Sequence, residues 1–233
     1  MASTDADERD GTRRDGDLVR DPRRALVAAA VMLAVVVLLA VVVASDVGAP
    51  PFLQGIDDAW RRRVLAWPGW TRSVGEFLET LGSGVFMVVL RVAVAVWLAV
   101  RRRRWDLAAW LLAWGLADLV TFALKPAIAR ARPTPIGLQN PLTSFPSAHA
   151  KTAAQIAIGL VLIATSPWRE RRVAYGLAVT WIVVMSLSRT VVDHHWLSDV
   201  IAGSLLGATC AVGVAAATQR VRDRGERGRP RKA

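Results

Sequence analysis

Long apolar runs rich in Ala, Val, Leu, Ile and Trp alternate along this chain with short arginine clusters. The first run, residues 25–44, holds about 20 residues, which is enough to cross the hydrocarbon core of a bilayer. Five further runs have a similar character, at residues 84–100, 105–124, 149–165, 173–187 and 197–218. The pattern predicts an all-α, polytopic membrane protein with six transmembrane helices in a bundle.

Polar segments flank these predicted spans at both ends of the chain. Residues 1–23 are rich in Asp, Arg and Gly and lack apolar periodicity, so we predict a disordered cytoplasmic tail. A cleaved signal peptide is an alternative for the first run, but that run is longer than a typical signal core, which favours an uncleaved anchor. Residues 220–233 are predicted to form a basic cytoplasmic tail, which leaves residues 24–219 as the folded domain.

Two connections between the runs are long enough to contain structure of their own. In residues 46–82, the stretch IDDAWRRRVLAWPGW predicts an amphipathic surface helix broken near Pro68, and a polar loop is the alternative. In residues 125–148, Pro126 fits the first position of a short helix with the sequence PAIARA.

Basic clusters define the expected topology. They precede the first span and follow the second, fourth and sixth spans. With six spans all of these clusters share one side of the membrane, which the positive-inside rule identifies as the cytoplasm. Both termini are then cytoplasmic, and residues 46–82, 125–148 and 188–196 are extracytoplasmic. The three arginines at residues 61–63 would then lie on the extracytoplasmic side, where the rule disfavours positive charge, unless their helix lies on anionic lipid headgroups.

Composition changes this picture little. The net charge is +11 and the mean hydropathy is +0.34, with 53% hydrophobic residues. Because most arginines flank apolar runs, where topology explains them, we expect the bilayer as a partner and no nucleic acid. The single cysteine, Cys210, excludes an intrachain disulfide, and the oligomeric state stays open.

Candidate chemistry gathers in the predicted extracytoplasmic connections. His195 and Asp199 are four residues apart, so on a helix they share one face, where a carboxylate fixes the tautomer of an imidazole and stabilises its cation. Ser147 fits the N-cap of the fourth span, whose free N–H groups bind anions, and His149 stands in the same turn. Lys125, Arg132 and Arg189 add positive charge on the same side.

This combination fits a tetrahedral oxyanion. One histidine attacks phosphorus while the other protonates the leaving oxygen, and the cations and N–H groups stabilise the transferring phosphoryl group. A metal site formed by His194, His195 and Asp199 is the main chemical alternative, although the surrounding cations would repel a metal ion.

Three segments carry a resemblance to a known family: Lys125-x6-Arg132-Pro133, Pro146-Ser147-Ala148-His149, and Ser188-Arg189-x5-His195-x3-Asp199. In order and spacing they resemble the signature motifs of the type 2 phosphatidic acid phosphatase family, which shares its site with vanadium haloperoxidases. The resemblance implies an integral-membrane enzyme that hydrolyses a lipid phosphate or pyrophosphate monoester, without a metal or other cofactor, at the extracytoplasmic end of the bundle. A non-catalytic protein that binds or transports lipid phosphates on the same fold is the alternative.

The resemblance also implies roles for the matched residues. His195 forms a phosphohistidine intermediate, Asp199 orients His195, and His149 protonates the leaving group and then activates water. The phosphate is held by the other matched residues, namely Lys125, Arg132, Ser147, the amide of Ala148, and Arg189. The family has Gly where this chain has Ala148, a change that is harmless if Ala148 is the first helical residue and costly if it needs a positive φ. Phosphatidic acid, phosphatidylglycerol phosphate and polyprenyl pyrophosphate all stay open as substrates.

Two ionisable residues interrupt the second and third spans. Arg91 and Asp118 each lie about 10 Å below the outer end of their span at 1.5 Å per residue. Because an isolated charge is costly at this depth, we predict an ion pair between them beneath the phosphate site. The alternative is that Arg91 snorkels upward alone and Asp118 lines a wet cleft. In a pair, Arg91→Ala destabilises the protein more than the double change Arg91→Ala/Asp118→Ala. Lys151 is expected either near the phosphate or as a cap at the membrane interface.

Overall fold

The computed structural model describes residues 18–45, 52–82, 84–135, 142–164 and 168–227. Every regular element in these segments is an α-helix, which confirms the all-α class. In chain order the helices are α1 (Pro22–Ser45), α2 (Phe52–Leu65), α3 (Trp70–Leu81), α4 (Gly84–Val100), α5 (Arg104–Ile128), α6 (Ala148–Ile163), α7 (Trp168–Val191) and α8 (Leu197–Arg227).

Helices α1, α4, α5, α6, α7 and α8 cover the six apolar runs. By length and composition, the described residues contain four helices able to cross a membrane: α1, α5, residues Arg171–Val191 of α7, and α8. A fifth is counted if α3 and α4, which meet at a bend of 46°, form one span, and α6 is a shorter apolar helix. The chain is therefore a multi-pass helical membrane protein, and the layout of six spans stays a prediction.

Close packing of α6 against α8 forms the centre of the bundle. A Cβ atom added at Gly203 would lie 2.4 Å from the carbonyl oxygen of Ser147, and one at Gly207 would lie 2.1 Å from that of Lys151. Such distances leave no room for a side chain, so these glycines let the two backbones touch. The approach brings the N–H of Ser147 within 3.0 Å of the carbonyl oxygen of Asp199, and the starts of α6 and α8 are thereby joined.

The long connection after α1 folds into α2 and α3 over the end of the bundle that carries the candidate site. The predicted surface helix is interrupted where expected, because α2 ends at Leu65 and α3 begins at Trp70, on either side of Pro68. Helix α3 packs closely on the end of α7, since a Cβ at Gly75 would lie 3.4 Å from the carbonyl oxygen of Ser188 and 2.8 Å from Cγ1 of Val192, the residue after α7.

Three predicted boundaries differ from the structure. No separate PAIARA helix forms: Pro126 lies inside α5, in its last turn, and the helix ends before the left-handed Ala129. At the N-terminal end, α1 already begins at Pro22, and Leu18 is buried with its N–H donated to Gln219. Helix α8 runs on to residue 227, beyond the predicted start of the basic tail. The rest of the predicted disordered tail, residues 1–17, lies outside the described residues.

Candidate active site

The candidate site forms where the end of α5, the start of α6 and the α7–α8 connection meet. Lys125 Nζ and Arg132 Nη2 both donate to the carbonyl oxygen of Thr143, which brings the two ends of the first motif together. The carbonyl oxygen of Arg189 accepts the N–H of His195 at 3.2 Å, which folds the α7–α8 connection into a tight turn. His149, in the first turn of α6, lies within electrostatic range of Arg189 and His195.

His195 is buried between an acid and a cation. Its Nδ1 lies 3.4 Å from Asp199 Oδ2, and its Nε2 lies 3.2 Å from Arg132 Nη1. Burial lowers the pKa of His195 to about 4, although the nearby Asp199 opposes this shift. The ring is therefore neutral near pH 7, and with the proton on Nδ1 facing Asp199 the Nε2 lone pair faces Arg132, which donates to it.

The carboxylate of Asp199 is completely buried and held on several sides. Arg130 Nη1 donates to Oδ1 at 2.7 Å, while the N–H of Trp196 at 3.0 Å and the hydroxyl of Ser144 donate to Oδ2. These donors keep the carboxylate ionised and fix its orientation beside His195. Neither Arg130 nor Ser144 belongs to the motif residues that sequence reasoning selected.

The cations of the site are also held in place: Arg189 is buried, and Lys125 and Arg132 are partly buried. The guanidinium of Arg189 lies with Nη1 3.1 Å from Glu79 Oε1 and donates from Nη2 to the carbonyl oxygen of Gly75 at 3.2 Å, so α3 anchors it. Burial lowers the pKa of Arg132 below the ordinary arginine value, and Asp199 and Glu79 oppose that shift. Arginine stays charged under these conditions, so both guanidinium groups keep their positive charge at the site.

The start of α6 supplies neutral donors. Ser147 is the N-cap residue with extended backbone, and Ala148 is the first helical residue. Of the two alternatives for Ala148, the structure therefore has the harmless one: Ala148 is the first helical residue, and no positive φ is required of it. The hydroxyl of Ser147 is buried and has no hydrogen-bond partner among the described residues, and the N–H groups of the first turn have no partner within the helix.

The alternative metal site does not assemble. His194 Nδ1 lies 3.3 Å from Glu79 on α3, whereas His195 faces Asp199. Within the described segments no group of three or more His, Cys, Asp or Glu side chains is arranged to hold a metal ion.

Beneath the site, the predicted pair of Arg91 and Asp118 is confirmed, with Nη1 and Oδ2 3.1 Å apart. Lys151 Nζ contacts the other oxygen of Asp118, so the pair is a triad. Arg91 also donates to Gln155 at 2.9 Å and lies 5.0 Å above the ring of Trp114. Asp118 thus compensates two buried cations.

Comparison with known proteins identifies the family. Residues 106–223, half of the chain, match the model of the PAP2 superfamily, and the chain belongs to that family, as the motifs predicted. It is 29% identical over 161 residues to phosphatidylglycerophosphatase B of Bacillus subtilis (strain 168), an alignment that covers 66% of this chain and 79% of the relative.

Two crystal structures share the fold. The transmembrane PAP2-type phosphatidylglycerolphosphate phosphatase from Bacillus subtilis superposes with a TM-score of 0.66 at 24% identity, over 85% of this chain and 98% of that one. Aquifex aeolicus LpxE superposes with a TM-score of 0.52 at 20% identity, over 67% and 92% of the two chains.

Proposed function

We propose that this protein is an integral-membrane phosphatase that hydrolyses a lipid phosphate or pyrophosphate monoester through a phosphohistidine intermediate. The observation that carries the proposal is the buried His195, with Asp199 on one ring nitrogen and Arg132 beside the other. Membership of the PAP2 superfamily and similarity to a phosphatidylglycerophosphatase support it.

In the first step the Nε2 lone pair of His195 attacks phosphorus, and the bond between phosphorus and the lipid oxygen breaks. His149 gives its proton to that oxygen, so a phosphate monoester leaves as a lipid with a free hydroxyl group. With a pyrophosphate the bond to the bridging oxygen breaks, and the lipid monophosphate leaves. Asp199 stabilises the positive charge that develops on the ring of His195. In the second step water attacks phosphorus and gives a proton to His149, and the P–N bond breaks to release inorganic phosphate.

The remaining motif residues hold the transferring group. Lys125, Arg132 and Arg189 neutralise the phosphoryl oxygens, and the hydroxyl of Ser147 and the amide of Ala148 donate to them. The unpartnered hydroxyl of Ser147 is one donor that such an anion satisfies. Because phosphoryl transfer depends mainly on positioning and charge stabilisation, this cationic cradle supplies what the reaction needs.

The site faces away from the cytoplasm in this proposal, and both termini are cytoplasmic. Six spans, α1 and α4 to α8, place the arginine clusters at residues 20–24, 101–104 and 169–172 and in the C-terminal tail on one side. Helices α2 and α3 then lie at the outer surface beside the site.

A phosphate-release assay on purified protein in detergent micelles tests the activity, with phosphatidylglycerophosphate first and phosphatidic acid and polyprenyl pyrophosphate beside it. Wild type should release phosphate, and His149→Ala should be inactive. Asp199→Asn should be folded and slow, because the orienting charge is lost. Tight binding of these lipids without any release would instead support a protein that binds or transports lipid phosphates.

A further inference from the structure

The sequence predicts that α2 is a surface helix, yet two of its side chains form hydrogen bonds with residues on either side of His195. Asp57 and Arg61 are four residues apart and share one face of α2. Asp57 is 1% exposed, although it belongs to a helix whose Phe52 is 79% exposed. A fully buried carboxylate on a surface helix is costly unless its partners compensate it.

Asp57 binds the start of α8, just after His195. Its Oδ1 accepts the N–H of Ser198 at 2.9 Å, and its Oδ2 accepts the hydroxyl of Ser198 at 2.6 Å. Oδ2 also accepts Arg130 Nη2 at 2.7 Å. Because Arg130 uses its other terminal nitrogen on Asp199, the charge chain runs from α2 through Arg130 to the carboxylate beside His195.

Arg61 binds the same connection just before His195. Its Nε and Nη2 donate to the two oxygens of Asp193 at 2.7 and 2.6 Å, in the bidentate geometry that gives arginine pairs their directional strength. Although burial opposes ionisation of Asp193, the hydrogen bonds from Arg61 and Thr134 lower its pKa below the ordinary value. Asp193 has φ 63, a left-handed conformation that a non-glycine residue keeps only when its surroundings hold it.

We propose that Asp57 and Arg61 form a clamp, here called the α2 clamp, that positions His195 for attack. Arg61 fixes the backbone two residues before His195, and Asp57 fixes the helix start three residues after it and the orientation of Asp199 through Arg130. Neither side chain touches the nucleophilic ring, so both are positioning residues. The inference rests on the proposed phosphatase activity.

Steady-state kinetics of phosphate release from phosphatidylglycerophosphate test the clamp in full-length protein. In Asp57→Asn one of the two acceptor oxygens becomes an NH₂ donor, so Arg130 and Ser198 can no longer all be satisfied and the hold on Asp199 through Arg130 weakens. In Arg61→Gln the bidentate pair is lost. Misplacement of a reacting group by about 1 Å costs on the order of 100-fold, so we expect kcat to fall about 10- to 100-fold in each variant. KM should change less than about threefold, because the phosphate cradle is untouched.

The two substitutions change the local charge in opposite directions, which separates positioning from electrostatic attraction of the anionic substrate. Attraction alone would move KM oppositely in the two variants, whereas positioning lowers kcat in both. Arg61→Lys should recover part of the activity, since it keeps the charge and one donor direction. Arg62→Gln is the matched control, because Arg62 is exposed on the same helix, and its kcat should equal that of wild type.

Inhibition by inorganic phosphate reports whether the cradle is intact in each variant. Unchanged inhibition with reduced kcat supports the clamp. A kcat in Asp57→Asn and Arg61→Gln within about twofold of the Arg62→Gln value would overturn it, as would loss of phosphate inhibition in parallel with kcat, which indicates a general structural role. Wild-type protein inactive on every lipid phosphate would overturn the proposed function instead.

Discussion

The buried triad of Arg91, Asp118 and Lys151 makes a prediction opposite to the one that a simple pair makes. In an isolated pair, Arg91→Ala strands Asp118, and the further change Asp118→Ala relieves the protein. In the structure, Lys151 also contacts Asp118. Arg91→Ala therefore leaves a neutral pair of Asp118 and Lys151, whereas the double variant Arg91→Ala/Asp118→Ala leaves Lys151 as an unpaired cation.

The exposed fractions of the three side chains determine how large the difference in the free energy of unfolding between the two variants should be. Arg91 and Lys151 are each 4% exposed, and Asp118 is 46% exposed. Breaking a buried ion pair by removing one partner costs about 3–5 kcal/mol, and the partial exposure of Asp118 moves the expectation to the lower end of that range. We expect the double variant to be about 3 kcal/mol less stable than Arg91→Ala, roughly a hundredfold in the folding equilibrium. The cavity left at position 91 is common to both variants and cancels in the comparison.

The assay is equilibrium unfolding by SDS in mixed micelles, with Arg91→Ala, Asp118→Ala, Lys151→Ala and the double variant compared. Asp118→Ala should be the least stable single variant, because it leaves two neighbouring cations without an anion. A double variant more stable than Arg91→Ala would refute the triad and restore the simple pair.

The other predictions concern the nucleophile, the packing of the bundle and the topology. His195→Ala should abolish phosphate release, and near-native turnover would reject the phosphohistidine step. Because burial lowers the pKa of His195 to about 4, kcat/KM corrected for substrate ionisation should hold as the pH falls to about 5 and drop below that; an acid limb at the ordinary 6.5 would contradict it. Gly207→Ala should destabilise the protein strongly, since its Cβ meets the α6 backbone, whereas Gly213→Ala on the same helix meets only a side-chain methyl at 3.3 Å and should be mild. With the buried Cys210 replaced by Ala, Pro135→Cys should react with an impermeant thiol reagent in intact cells, and labelling only after lysis would reverse the topology.

Sequence reasoning identified the parts of the site whose chemistry dictates both residue type and spacing. His195 and Asp199 are four residues apart, and that interval is visible in the sequence. The predicted shared helix face is not what joins them, because α8 begins at Leu197 and His195 contacts Asp199 from the preceding turn. The apolar runs likewise define helices, because a span in lipid requires about 20 apolar residues. Depth along two adjacent spans was enough to predict that Arg91 meets Asp118.

The partners of those residues could not be predicted, because they come from elements whose relative position depends on packing. Lys151 contacts Asp118 from α6. The depth of Lys151 along its span can be counted from the sequence, but the direction in which its side chain points depends on the rotation of α6 about its axis, which the sequence does not give. Asp57 and Arg61 lie in a helix whose composition indicates an exposed surface, so its buried face was missed. The i, i+4 spacing of opposite charges was the available signal, but on most surface helices such a pair has no partner outside the helix.

The glycines of α8 show how packing turns separate motifs into one site. Gly203 and Gly207 are four residues apart, so both lie on the face of α8 that touches α6. Without a side chain at either position, the helix axes approach until the N–H of Ser147 donates to the carbonyl oxygen of Asp199. A wider separation would break this bond and move the start of α6, with its free N–H groups, away from His195. In the proposed mechanism, close backbone contact therefore fixes the distance between the phosphate-binding residues and the nucleophile His195, and the proposed α2 clamp fixes the orientation of His195.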